Sequence, residues 1–126
     1  PPHEVLQERM SQLVDLVIES KASSILVAAI AHAELATLRP FTQGSYLVAR
    51  ASTRLILAAR DVDNDGLVMS EYGAFLLGRP AYVKALTGYI SGTREGVSAW
   101  VTWQGEAIRR GAEMAKELAE MADAKK

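Results

Sequence analysis

Arg39, Gly44, Ser45 and Arg50 stand together in the segment Leu38-Arg39-Pro40-Phe41-Thr42-Gln43-Gly44-Ser45-Tyr46-Leu47-Val48-Ala49-Arg50. Two guanidinium groups around a glycine that opens a helix suit the binding of an anion. The first-turn N–H groups of a helix have no partner within it, and the helix dipole favours negative charge at that end. Arginine adds a fixed charge and paired donors that match phosphate or carboxylate oxygens. The plainer alternative is a helix–helix turn in which Phe41 packs into the core and both arginines are solvated.

A second set is Asp61, Asp63, Asp65 and Gly66, with Val68 beyond it. These match the acidic, glycine and apolar positions of a calcium-binding EF-hand loop. The closing position, which needs a bidentate Glu, is Tyr72; Glu71 comes one residue early, and no second loop of this kind follows. The alternative is a polar turn, with Asn64-Asp65-Gly66 supplying left-handed backbone. His32, with Glu34 and Arg39 after it, could take part in acid–base work. It lies inside an apolar stretch, however, where a hydrogen-bonded core histidine is expected. Trp100, Trp103 and Tyr89 fall at helical spacing and are read as core.

The elements that must position these groups are helices. Apolar residues at helical spacing place Leu6, Met10, Leu13 and Val17 on one stripe of a helix over residues 4–19. Ser23 or Ser24 can cap a nearly uniform apolar helix from Ile25 to Leu38, which is expected to lie at the centre. Pro40 ends it, because the residue before a proline avoids helical backbone. Arg39 to Gly44 is then a loop. A third helix over residues 45–60 is expected to turn Leu47, Ala51, Leu55 and Ala58 inward. A turn over residues 61–66 leads to a short helix capped by Ser70 and running through Leu77, ended by Gly78. Pro80 suits the first turn of the next helix, which buries Val83, Leu86 and Ile90 and ends at Gly92. The last helix runs over residues 94–122 with Val97, Val101, Ile108, Ala112, Ala115, Leu118 and Ala119 on its apolar side. Glu106 with Arg110, and Arg109 with Glu113, are spaced as surface ion pairs. Gly105, Ala112, Ala115 and Ala119 form a small-residue face that could pack another helix closely, in the same chain or in a homodimer. The fold class is all-α, a bundle of five or six helices in a single domain over residues 1–126.

The loop resembles the active-site motif of the Fic (Fic/Doc, Fido) family, whose pattern is His-x-Phe-x-(Asp/Glu)-Gly-Asn-Gly-Arg-x-x-Arg. Pro40, Phe41, Gly44 and Arg50 match it or its common His-Pro-Phe opening. His32 stands seven residues before Arg39, where an upstream helix of such proteins often carries another His. Ala51 to Arg60 and Gly78 to Ala107 also look like Fic-family proteins with diverged motifs, so the resemblance spans residues 23–118. It implies a Fic-like helical bundle whose activity would be transfer of AMP from ATP, with magnesium. Yet Arg39 takes the place of the general-base His and stays protonated. Gln43 replaces the acidic residue that helps hold magnesium. Ser45 and Tyr46 replace the Asn and Gly of the phosphate turn, and Leu47 replaces an arginine that contacts phosphate. General-base assistance alone is worth about 10²–10⁴ in rate. The resemblance therefore implies a degenerate domain, inactive as an AMP transferase, acting in binding or scaffolding. Arg39, Gly44, Ser45 and Arg50 would form a remnant site for ATP or another nucleotide. The alternatives are a nucleotidyl or phosphoryl transferase with a rearranged site, using a base such as His32, and a single EF-hand-like calcium module at Asp61, Asp63 and Asp65. The family's flap, which precedes the motif, has no counterpart here, and the chain is expected to be a fragment of a longer protein.

Composition narrows the classes. Lys and Arg number 14 against 15 Asp and Glu, for a net charge of -1. That balance argues against a general nucleic-acid binder, which needs many uncompensated cations. With no cysteine and two histidines, disulfides, thiol catalysis and zinc sites built from those residues are excluded. The apolar run from Ile25 to Ala33 falls short of the roughly 20 residues of a membrane span. A cytoplasmic location is expected, with a protein partner as a candidate.

Overall fold

The computed structural model describes residues 2–40, 43–60, 62–63 and 65–125. They form α1 (His3–Glu19), α2 (Ser24–Leu38), α3 (Ser45–Ala59), α4 (Ser70–Leu77), α5 (Arg79–Ile90) and α6 (Arg94–Ala124), with no strand among the described residues. The chain is an all-α bundle. No helix among the described residues is long and apolar enough to cross a membrane.

Helix ends fall where the chain is punctuated. α2 stops before Pro40, α4 ends at Gly78 with φ 90°, and α5 is followed by Gly92 with φ 72°. Thr93 caps α6 by accepting a hydrogen bond from the Gly96 N–H at 3.0 Å. Ser23 holds the N-cap of α2 without a side-chain bond. Ser70 is the first residue of α4 and Met69 is its cap. At the other end of α1, Arg60 donates to the Ser20 carbonyl, placing a cation where the helix dipole is negative.

α2 is the axis of the molecule. From Val27 to Leu38 only Ile30 and Thr37 escape burial, because α1, α3, α5 and α6 all pack on it. A helix covered on most sides needs apolar residues around its whole circumference, which explains the run Ile25–Ala33. α6 is anchored there by Trp100, which is fully buried and donates its indole N–H to the Ala29 carbonyl at 2.8 Å.

Close helix approach is achieved at glycines other than those expected. A Cβ on Gly73 would lie 1.8 Å from the Ala107 carbonyl oxygen, and one on Gly111 would lie 2.4 Å from that of Met69. These contacts draw α4 onto α6. Gly88 and Gly96 do the same for α5 and α6, a Cβ on Gly96 lying 2.0 Å from the Gly88 oxygen. The small-residue face expected from Gly105 to Ala119 is not one of these seams. A Cβ at Gly105 would meet nothing, and Ala112 and Ala119 are exposed.

Three expected apolar faces are also corrected. In α3 the buried residues are Ser45, Ala49, Thr53, Ile56 and Leu57, while Leu47 and Leu55 are 69% and 68% exposed. α3 is apolar on two sides, and it is the side with the smaller residues at its start that fits against the crowded α2. In α5, Leu86 is buried beside Ala85, but Val83 and Ile90 face outward. In α6 the last buried residue is Gly111, beside the start of α4, so Leu118 and Ala119 extend beyond the packed part.

Candidate functional site

The loop of interest joins the C-terminus of α2 to the N-terminus of α3. Arg39 closes α2 in left-handed backbone, at φ 47° and ψ 60°, with its N–H bonded to the Leu35 carbonyl. It is the only non-glycine residue with positive φ among those described. Such a conformation costs an L-residue roughly 1–2 kcal/mol. Gly44, at φ 81°, is the N-cap of α3 and brings no side chain to cap it. A Cβ there would meet nothing within 4 Å among the described residues.

Arg39 does not hang free in solvent. Its Nη2 donates to the Tyr46 hydroxyl at 2.6 Å, and its Cζ stands 5.2 Å from the centre of the Tyr46 ring. The guanidinium is thereby held against the side chain of Tyr46, in the first turn of α3. Arg50 is exposed one and a half turns into α3, and its charge reaches His32 and Tyr82. Ser45 is buried on the α2-facing side with Ala49 and Thr53. The expected four-residue site therefore keeps three accessible members, Arg39, Gly44 and Arg50. Phe41, expected in the core, lies outside the described residues.

His32 is a core residue, as its apolar surroundings suggest. Its Nδ1 lies 3.4 Å from the Thr53 hydroxyl and its Nε2 3.1 Å from the Tyr82 hydroxyl. The ring packs against Tyr82 and Trp100. Burial, then the charge of Arg50, pushes its pKa from 6.5 down to about 4, so the imidazole is neutral at physiological pH. Trp100 and Trp103 stack at 5.6 Å beside it, with Tyr82 edge-on to both. Glu34 serves elsewhere. It accepts from Arg9 of α1 and from the Tyr89 hydroxyl of α5, at 2.6 Å in the latter case. Burial first, then the bond to Glu34, raises the Tyr89 pKa well above 10. His32, Glu34 and Arg39 therefore form no acid–base set: each is bonded to different partners.

The acidic turn spends its central carboxylate on the backbone. Asp63 is buried, with Oδ1 accepting from the Leu67 N–H at 3.0 Å and Oδ2 from the Val68 N–H at 2.8 Å. Asp65 is exposed, and Asp61 lies outside the described residues. No group of three His, Asp or Glu suited to a metal ion occurs among the described residues.

Sequence reasoning missed the Arg39–Tyr46 pair. The signal was an arginine and a tyrosine on either side of the glycine that opens α3, seven residues apart. Comparison of the chain with protein-family models, curated proteins and solved structures finds no match.

Proposed function

We propose that this chain is a degenerate Fic-like domain that binds an anionic group at the start of α3 and does not transfer AMP. Gly44 as the N-cap of α3, with the Arg39 guanidinium held on the Tyr46 side chain of the same helix turn, is the observation that carries this reading. The ligand class is a phosphate, as in a nucleotide, or the carboxylate of an acidic peptide, bound by backbone N–H groups and arginine donors. Against transfer stands the lack of a base. Arg39 cannot accept a proton, and His32 is enclosed between Thr53, Tyr82 and Trp100. A rearranged transferase would have to take its base from elsewhere.

The test is a thermal-shift series with pyrophosphate and ATP, each with and without magnesium, on the wild type and Arg39→Ala. A rise in melting temperature that does not depend on magnesium and is lost in Arg39→Ala is expected. No shift with either anion would overturn the binding reading. Incubation with labelled ATP, GTP, CTP and UTP should leave the chain and added proteins unlabelled. Reproducible labelling that Gly44→Trp abolishes would overturn the non-catalytic reading.

A further inference from the structure

Two helix faces are apolar, exposed and of opposite charge at their edges. A helix advances about 100° per residue, which puts Leu47, Val48, Ala51, Leu55 and Ala58 on an arc of roughly 100° of α3, away from the core side. Leu47 and Leu55 are the most exposed of these. Arg50 and Arg54 line one edge of that arc, and α3 carries no acidic residue. Beyond Gly111, α6 carries Met114, Ala115, Leu118, Met121 and Ala122 on one arc, with Leu118 47% and Met121 58% exposed. Glu113 and Glu117 line one edge of it.

We infer that α6 of one copy docks on α3 of a second copy, residues 113–122 lying along residues 47–55. The stretches 47–55 and 114–122 match in length, each about 12 Å at 1.5 Å per residue. On both helices, viewed from the N-terminus, the charged edge lies on the same side of the apolar arc. Two helices laid face to face bring same-side edges together only when they run antiparallel. In that direction one register satisfies every pair: Arg50 meets Glu117, Arg54 meets Glu113, Leu55 meets Met114, Ala51 meets Leu118 and Leu47 meets Met121. Like-with-like pairing is disfavoured, since α3 on α3 would set arginine against arginine and α6 on α6 would set glutamate against glutamate. The contact is therefore heterologous: each copy offers two different surfaces. Arg54 already bonds the Gly66 carbonyl and stands 3.7 Å from Glu71, while Glu113 pairs with Arg109. Both ion pairs are surface pairs, which contribute little and exchange readily. This contact shares Arg50 with the proposed anion site, but its apolar residues take no part in that site, so substitutions at Leu55 and Leu118 test the contact by itself.

Sedimentation of the wild type over a range of concentrations should show self-association. Leu55→Asp and Leu118→Asp, both at exposed positions, should each be monomeric with unchanged helical circular dichroism. An equimolar mixture of the two should associate again, because one copy keeps its α3 face and the other its α6 face. The chain has no cysteine, so Ala51→Cys and Leu118→Cys copies, mixed and oxidised, should form a heterodisulfide in preference to either homodisulfide. A monomeric wild type, association that persists in Leu55→Asp, or a mixture that stays monomeric would each overturn the inference.

Discussion

His32 carries a buried imidazole whose pKa falls from 6.5 to about 4. The unfolded chain binds a proton at this residue over the window between those values, while the folded chain does not. Stability therefore falls as pH drops through that window and is fully present above it. A gap of this size is worth about 3 kcal/mol in all. Urea denaturation between pH 4 and pH 7 should show this slope in the wild type, and His32→Gln should lose most of it whatever its absolute stability. At Arg39 the residue scale separates backbone from ligand. Arg39→Gly removes the left-handed strain at φ 47° but loosens the unfolded chain, two effects of about 1 kcal/mol each and opposite in sign. Its melting temperature should stay near that of the wild type while the pyrophosphate-induced shift disappears. A large loss of stability would mean that the Arg39–Tyr46 pair holds the loop together, with no need of a ligand.

At the scale of elements, the helix seams depend on where a Cβ would go. Gly73→Ala sets its methyl group into the Ala107 carbonyl. Overpacking of this kind costs about 1–3 kcal/mol, and backbone, unlike a flexible side chain, yields poorly. Gly105→Ala, on the same α6, meets nothing and should gain roughly 0.5–1 kcal/mol from helix propensity. Chemical denaturation of the two variants should therefore shift the midpoint in opposite directions. That contrast also marks what the sequence could tell. Pro40, Gly78 and Gly92 act on their own backbone, so the ends of α2, α4 and α5 were readable. A glycine in mid-helix reads only as a weak helix former; that Gly73 and Gly111 are contact points follows from the neighbour they meet. The inner face of α3 was misread for a related reason. Leu47 and Leu55 are larger and more apolar than Ser45, Ala49 and Thr53, but Ala49 packs in the α2 core and Thr53 reaches His32. Burial followed fit to α2, a property of two helices that one helix's periodicity does not contain. At the site, the loop's place between α2 and α3 was legible, whereas the inward turn of Ser45 came with the same misread face.

Over the whole molecule, protection should be graded outward from α2. Four helices cover it, and Trp100 bonds its backbone from α6. Its amides can exchange only when much of the bundle opens. α1, by contrast, buries only Leu13 fully and is held to the rest through the Arg9–Glu34 pair and the Arg60 bond to Ser20. Residues 115–124 of α6 have still less cover, since every one except Ala115 is exposed. Local opening is easiest where few buried contacts must break. Native-state hydrogen exchange on dilute protein should thus rank α2 and residues 100–111 as slowest, α1 as faster, and residues 115–124 as fastest. Raising the concentration tests the contact between copies on the same amides. Protection should then rise in residues 115–122 and in residues 47–55 together, and Leu118→Asp should remove both gains. An increase confined to α6 would point to pairing of α6 with itself, and an exchange pattern with α1 as slow as α2 would contradict the graded core.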